Sequence, residues 1–234
     1  MGKNKVKENY KAAEDQFGAV EEVLSKTELF IEKNMKNLTV GFLAIVVLIV
    51  AYFSYDRFVT APKEKAALNA IYIAQKYFER DSLDLALNGS GEFAGFLDVM
   101  DDYSGTKAGN LAKYYVGVIQ YKKGEIDDAI TTFESFMVND HIVSSLDIGI
   151  IGDAYAEKGE LDKALTYYQK AIDKNNNEFI GPIYLQKIAW IYELQKDWEN
   201  ALSTYEKIKK DYPNSKEAGN VGKYIALAKA KLGK

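Results

Sequence analysis

Apolar and polar positions follow three different rules along this chain. From Leu38 to Tyr55 the run LTVGFLAIVVLIVAYFSY is continuously apolar, with eleven Leu, Ile, Val or Phe residues and no ionisable group. As a helix it spans about 27 Å, close to the hydrocarbon thickness of a bilayer. Each apolar side chain near its centre favours insertion by about 0.3–0.6 kcal/mol, with no buried charge in opposition. The pattern predicts a transmembrane helix over 38–55. Ahead of it, residues 1–37 form a charged tail in which Phe17, Val20, Leu24 and Ile31 share one helical stripe, which predicts a partly amphipathic helix. Ser25-Lys26-Thr27-Glu28 has the form of a capping box leading into the span. Behind it, apolar residues return at helical spacing in short segments parted by turns.

A cleaved leader does not fit the apolar run. The preceding tail is too long for an ordinary n-region, and the best small-residue site, Val59-Thr60-Ala61, is followed by Pro62. Orientation follows from the basic residues. Lys26, Lys33 and Lys36 before the span balance Arg57, Lys63 and Lys65 after it, and Lys3, Lys5, Lys7 and Lys11 then favour a cytoplasmic tail. The C-terminal part is expected outside, which in a bacterium is the periplasm.

The segments after the span repeat. Gly117, Gly124, Ala129 and Phe133 are echoed by Gly152, Gly159, Ala164 and Tyr168, then by Ala189, Lys196, Ala201 and Tyr205. The alanines step by 35 and 37 residues, a period that marks a helix–turn–helix solenoid. Small residues let antiparallel helices approach, and the aromatic fills the groove beside them. KKGEIDDA, EKGELDKA and LQKDWENA each end one helix and begin the next, two of them with glycine as the stop.

These residues resemble the tetratricopeptide repeat. The copy from Ser145 matches at Ile151, Gly152, Tyr155, Leu161, Ala164, Tyr168 and Ala171, and the copy from Pro182 at Leu185, Ile188, Ala189, Tyr192, Ala201, Tyr205, Ile208 and Pro213. The copy from Asn110 matches at Val116, Gly117, Ala129 and Phe133. It departs at Lys113 and Gln120, where bulky apolar residues are usual. DYSGTKAGNLAKYY from Asp102 also resembles DYPNSKEAGNVGKYI from Asp211, each reading as the end of one hairpin and the start of the next. The expected fold is all-α: a single N-terminal transmembrane helix followed by a tetratricopeptide repeat solenoid of helical hairpins. Its segments are expected to be a cytoplasmic tail (1–37), the span (38–55), a degenerate first hairpin (56–109) broken near Arg80 to Gly91, three repeats (110–214) and a C-terminal capping helix (215–234).

Composition removes several functions. His141 is the only histidine and cysteine is absent, so two-histidine metal sites, thiolate chemistry and disulfides are excluded. Asn88-Gly89-Ser90-Gly91 lacks the lysine of a phosphate loop and reads as a turn, while Asp101-Asp102 and Asp127-Asp128 read as solvated pairs. His141 is expected in the connector between repeats. No basic stripe suggests nucleic acid. No catalytic, cofactor or metal site is expected, and the chain is not expected to be an enzyme.

The resemblance implies binding instead. In tetratricopeptide arrays the first helix of each hairpin lines a concave groove, which here places Leu111, Tyr114, Val118 and Tyr121, then Leu146, Gly149, Asp153 and Ala156, then Ile183, Gln186, Trp190 and Glu193 on it. A lining this apolar suggests extended hydrophobic segments or a partner helix as ligand.

The layout as a whole is similar to the YfgM type of bacterial inner-membrane protein. The stretches Leu24 to Asn34 and YYVGVIQYKKGEIDDAI from Tyr114 resemble versions from the Bacteroidetes. That resemblance implies a single-pass ancillary subunit of the SecYEG translocon, partnered by the periplasmic chaperone PpiD and by unfolded exported polypeptides. The alternative is a structural adaptor for cell-envelope assembly or division without a translocon role, or a receptor of opposite topology.

Overall fold

The computed structural model describes the backbone of residues 2–138 and 140–234, with side chains from residue 27 onward and that of Ser25. It divides into two compact units, residues 1–62 and 63–234, each described by itself. Almost everything described is helical, joined by turns and short irregular links, with one isolated bridge between Ser90 and Phe93.

The first unit is one helix, α1 (Gly2–Tyr55), of 54 residues, followed by a π-helical turn, Asp56–Thr60. The Ser25–Glu28 box starts no helix, because α1 passes through it. Glu, Lys, Leu and Val on both sides favour continuation, with no proline to stop it. Phe17, Val20 and Leu24 of the expected stripe lie outside the described side chains. The whole apolar run Leu38–Tyr55 is exposed to its surroundings. One helix, near the N-terminus, is therefore long and apolar enough to cross a membrane.

The second unit contains α2 (Ala61–Glu79), α3 (Leu83–Asn88), α4 (Phe96–Asp102), α5 (Lys107–Lys122), α6 (Ile126–Ser135), α7 (His141–Glu157), α8 (Leu161–Lys174), α9 (Ile180–Leu194), α10 (Trp198–Asp211) and α11 (Lys216–Lys231). Helices α5 with α6, α7 with α8, and α9 with α10 pack as antiparallel hairpins, and each hairpin rests on its neighbour.

One turn recurs in every hairpin. Its residue in the left-handed region is Asp81 (φ 57°), Gly124 (78°), Gly159 (75°) and Lys196 (61°). In each, the next N–H donates back across the turn: Ser82 to the Tyr77 carbonyl, Glu125 to Gln120, Glu160 to Tyr155 and Asp197 to Tyr192, at 2.8–2.9 Å. This is a Schellman closure, which satisfies carbonyls left over at the helix end. Only glycine enters that region without strain, so Asp81 and Lys196 hold it at a cost. Lysines just before two of these turns tie them to the previous unit, Lys123 to Asp84 at 3.0 Å and Lys158 to Asp127.

Small and aromatic residues then join the helices. A Cβ on Gly117 would lie 2.8 Å from the Phe133 ring, and one on Gly152 would lie 2.7 Å from Tyr168. Phe96, Phe133, Tyr168 and Tyr205 are all buried, one from each successive second helix. The next helix covers each ring at one register. Tyr115 stacks on Phe96 with centroids 4.6 Å apart, Ile150 packs into the Phe133 cluster, the Lys187 ammonium lies 5.6 Å over Tyr168, and Tyr224 stacks on Tyr205 at 5.2 Å.

Lys113 and Gln120, the polar departures of the first repeat, have partners. Lys113 donates to the Ser135 carbonyl at 3.0 Å, and Gln120 accepts from the Thr132 hydroxyl at 2.7 Å. His141 is the first residue of α7 and not part of a connector, because Asp140 caps that helix by accepting from the Ile142 and Val143 N–H groups at 2.9 Å. The outer face of α2 sets polar groups around one exposed ring, Tyr72. Counting back from Asp81 and Gly124, Lys65, Asn69 and Lys76 stand where α5 has the buried Ala108, Ala112 and Ile119.

Candidate protein-binding groove

The side chains assigned to a groove separate into two groups. Tyr114, Val118 and Tyr121 on α5 converge with Phe133 of α6 and Ile150 and Asp153 of α7, and with Lys122 they line a pocket of about 310 Å³. Leu111 lies exposed on the same helix, outside that pocket. Leu146, Ile183 and Gln186 are half-buried on α7 and α9, and Leu146 and Ile183 pack against the core of the later repeats. Trp190 stands 42% exposed on α9, beside Leu194 at 72%. Gly149 offers no surface, because the Tyr184 phenol occupies the space its Cβ would fill.

The two groove carboxylates are already engaged. Asp153 accepts from the Tyr168 hydroxyl at 2.7 Å and takes the Lys187 ammonium on both oxygens, at 2.6 and 2.7 Å. Glu193 accepts from the Tyr205 hydroxyl at 3.1 Å. Both acids therefore hold the buried tyrosines of their own hairpins. Burial, reinforced by the bond to Asp153, pushes the Tyr168 hydroxyl far above the ordinary phenol range. Tyr121 is raised by burial and by the charges of Asp153 and Glu157, and Tyr114 by burial first and then by its neighbours Tyr115 and Asp147. These phenols stay protonated, so the pocket presents an apolar aromatic wall with hydroxyl donors.

Four participants escaped the repeat-position rule: Lys122, Ile150, Lys187 and Phe133. The signal that finds Ile150 and Lys187 is their register with Tyr115 and Tyr224 over the preceding ring. A larger depression of about 470 Å³ between α8 and α9 is lined largely by polar groups, among them Thr166, Gln169, Lys170 and Asp173. No cluster of metal-ligating side chains occurs among the described residues.

Sequence and structure comparisons agree with this geometry. Tetratricopeptide repeat models match residues 111–139, 148–178 and 184–215. No curated protein matches the chain. A tetratricopeptide repeat protein from Parabacteroides merdae has a similar structure, with a TM-score of 0.58 at 16% identity over 72% of this chain and 61% of that one. The chain thus spans about three fifths of that relative's length. MamA is similar with a TM-score of 0.54 at 20% identity, over 74% of this chain and 84% of its own. Identities this low establish the fold alone. Such arrays are protein–protein interaction scaffolds, and the helices from α5 to α10 form a tetratricopeptide repeat solenoid.

Proposed function

We propose that this protein is a membrane-anchored scaffold whose solenoid binds other polypeptides through Leu111, Tyr114, Val118, Tyr121, Leu146, Ile183, Gln186 and Trp190, with Asp153 and Glu193 fixing the walls. The apolar stretch of α1 holds the chain in a bacterial inner membrane, with the tail in the cytoplasm and the solenoid in the periplasm. Its partners there are the SecYEG translocon, a PpiD-like chaperone and emerging exported chains. The carrying observation is the pocket between α5 and α7, an open cavity walled by Tyr114, Tyr121 and Phe133. The fully exposed apolar run of α1 supports the anchor. Anchoring raises the effective concentration of the groove for chains leaving the same membrane, so weak contacts suffice.

The test is gentle solubilisation of membranes, purification through a tag after Lys234, and identification of the chains that arrive with it. SecYEG subunits with a PpiD-like chaperone are expected. Envelope or division proteins without them would replace this reading with the adaptor. Trp190→Ala should reduce crosslinking to the partner at least tenfold with the helical content unchanged, and unchanged crosslinking would remove the groove from the argument.

A further inference from the structure

The contact between the first and second repeats differs from the others in three respects. Helix α6 has 10 residues, whereas its counterparts α8 and α10 have 14 each, so the joint lacks a final turn of helix. Among the described residues, the α7 backbone comes close to α9 and that of α9 to α11, whereas α5 and α7 meet through side chains without such a close backbone approach. The buried core thins there to a small cluster around Ala129, Ile130, Phe133, Ile151 and Ala154, between the larger cores on either side. The pocket lined by Tyr114, Val118 and Ile150 opens at this joint and is walled largely by apolar and aromatic side chains, whereas the depression between α8 and α9 is lined largely by polar groups. The joint is underpacked.

Asp147 sits on α7 at this joint. It stands in the register of Ala112 on α5 and Tyr184 on α9, positions that pack against the preceding repeat. It is 8% exposed, and its Oδ1 has no hydrogen-bond partner. The titratable groups that feel its charge are Tyr114 from α5 and Tyr184 from α9, and neither phenol bonds to it. From α6, Glu134 is taken by Tyr167, and Asp127 by Lys158. From α8, Tyr168 is taken by Asp153, and Lys113 of α5 is spent on the Ser135 carbonyl. No cation compensates the carboxylate. A buried, unpaired carboxylate is stable only when protonated; once ionised it must reach water.

We propose that the joint between the first and second repeats is a proton-sensitive hinge: α7 stays seated against α5 and α6 while Asp147 is neutral, and the joint opens at the Tyr114–Ile150 pocket when Asp147 ionises. Burial pushes the Asp147 carboxyl up to about 7, which puts the change within reach of ordinary conditions. The consequence is a groove whose width depends on pH at one place along its length. This inference stands on the solenoid alone and does not require the translocon reading.

The absence of cysteine makes distance labelling direct. Thr131, Thr166 and Ser203 are exposed and occupy one register on α6, α8 and α10. Spin labels on T131C with T166C report the joint, and T166C with S203C report the next one as a control, in the full-length chain in nanodiscs. The lone histidine is changed to Gln (H141Q) throughout so that no imidazole contributes. Between pH 5 and pH 8.5 the first distance distribution should broaden and lengthen with a midpoint near 7, while the control stays constant. Asp147→Asn, and independently Asp147→Ala, should abolish the pH response. A first pair that does not change with pH overturns the hinge, as does a response that survives both substitutions.

Discussion

Gly152→Ala tests the packing logic of the repeats because two general rules give opposite signs. In a helix interior, alanine is favoured over glycine by about 1 kcal/mol. Here the added methyl would sit 2.7 Å from Cδ1 and Cε1 of Tyr168, whereas ordinary contact begins at 3.4 Å. Tyr168 cannot easily retreat. Its hydroxyl is bonded to Asp153 at 2.7 Å, the Lys187 ammonium lies 5.6 Å above its ring, and the ring stacks on Tyr184 with centroids 5.8 Å apart. Overpacking of this kind costs about 1–3 kcal/mol, so the net expectation is a loss near 1 kcal/mol. Gly222 on α11 supplies the control, because nothing lies within 4 Å of its Cβ position. Gly222→Ala should gain up to about 1 kcal/mol. Urea titration followed by far-ultraviolet circular dichroism reads both, with midpoints moving in opposite directions by about half a molar. In a Tyr168→Ala background, Gly152→Ala should turn stabilising. If Gly152→Ala alone raises the midpoint as Gly222→Ala does, the aromatic-on-glycine account of hairpin packing is refuted.

Ala164→Leu forces three carbons into a fully buried position beside Tyr168 and should cost at least about 1–3 kcal/mol; a melting temperature within a degree of wild type would show that the repeat register is misassigned. Asp140→Ala removes the acceptor for two α7 N–H groups and should cost about 1 kcal/mol, read as faster amide exchange confined to the first turn of α7. Lys158→Ala should shift the denaturation midpoint only slightly, and not measurably in molar salt, since Asp127 across the pair is exposed. Asp147 is raised to about 7 in the fold and ionises near 4 when unfolded, so the folded state holds an extra proton between those values. The contribution of Asp147 to stability is therefore greatest below pH 4, falls through that window by at most about 4 kcal/mol, and levels above pH 7; Asp147→Asn should flatten this limb of a denaturation series.

Much of the fold was legible because the determinants repeat. Gly117 with Phe133 and Gly152 with Tyr168 announce close helix contacts, and Gly124 and Gly159 mark helix stops at the matching place. Other features depend on context that no spacing carries. Asp81 and Lys196 adopt the same left-handed turn without being glycine, because the hairpin closure compensates their strain. The capping-box pattern at Ser25 is overridden by strong helix formers on either side. Helix α6 ends at Ser135 with no glycine to stop it; its last carbonyl is taken by Lys113 and its extension is tied down by Asn110, both on α5. At the groove, the repeat positions locate Tyr114, Val118 and Tyr121. They do not reveal that Asp153 and Glu193 are consumed by tyrosine hydroxyls, which is a matter of distances between helices far apart in sequence.

The outer face of α2 has a consequence for assembly. Stacked hairpins are self-similar, so an array whose first helix kept Ala108-, Ala112- and Ile119-like residues would accept another molecule's last hairpin and grow into a fibre. Lys65, Asn69 and Lys76 surround the exposed Tyr72 at this end and oppose that route, and the lysine-rich α11 at the other end would meet them with like charge. Binding capacity then scales with the number of molecules present rather than with polymer length.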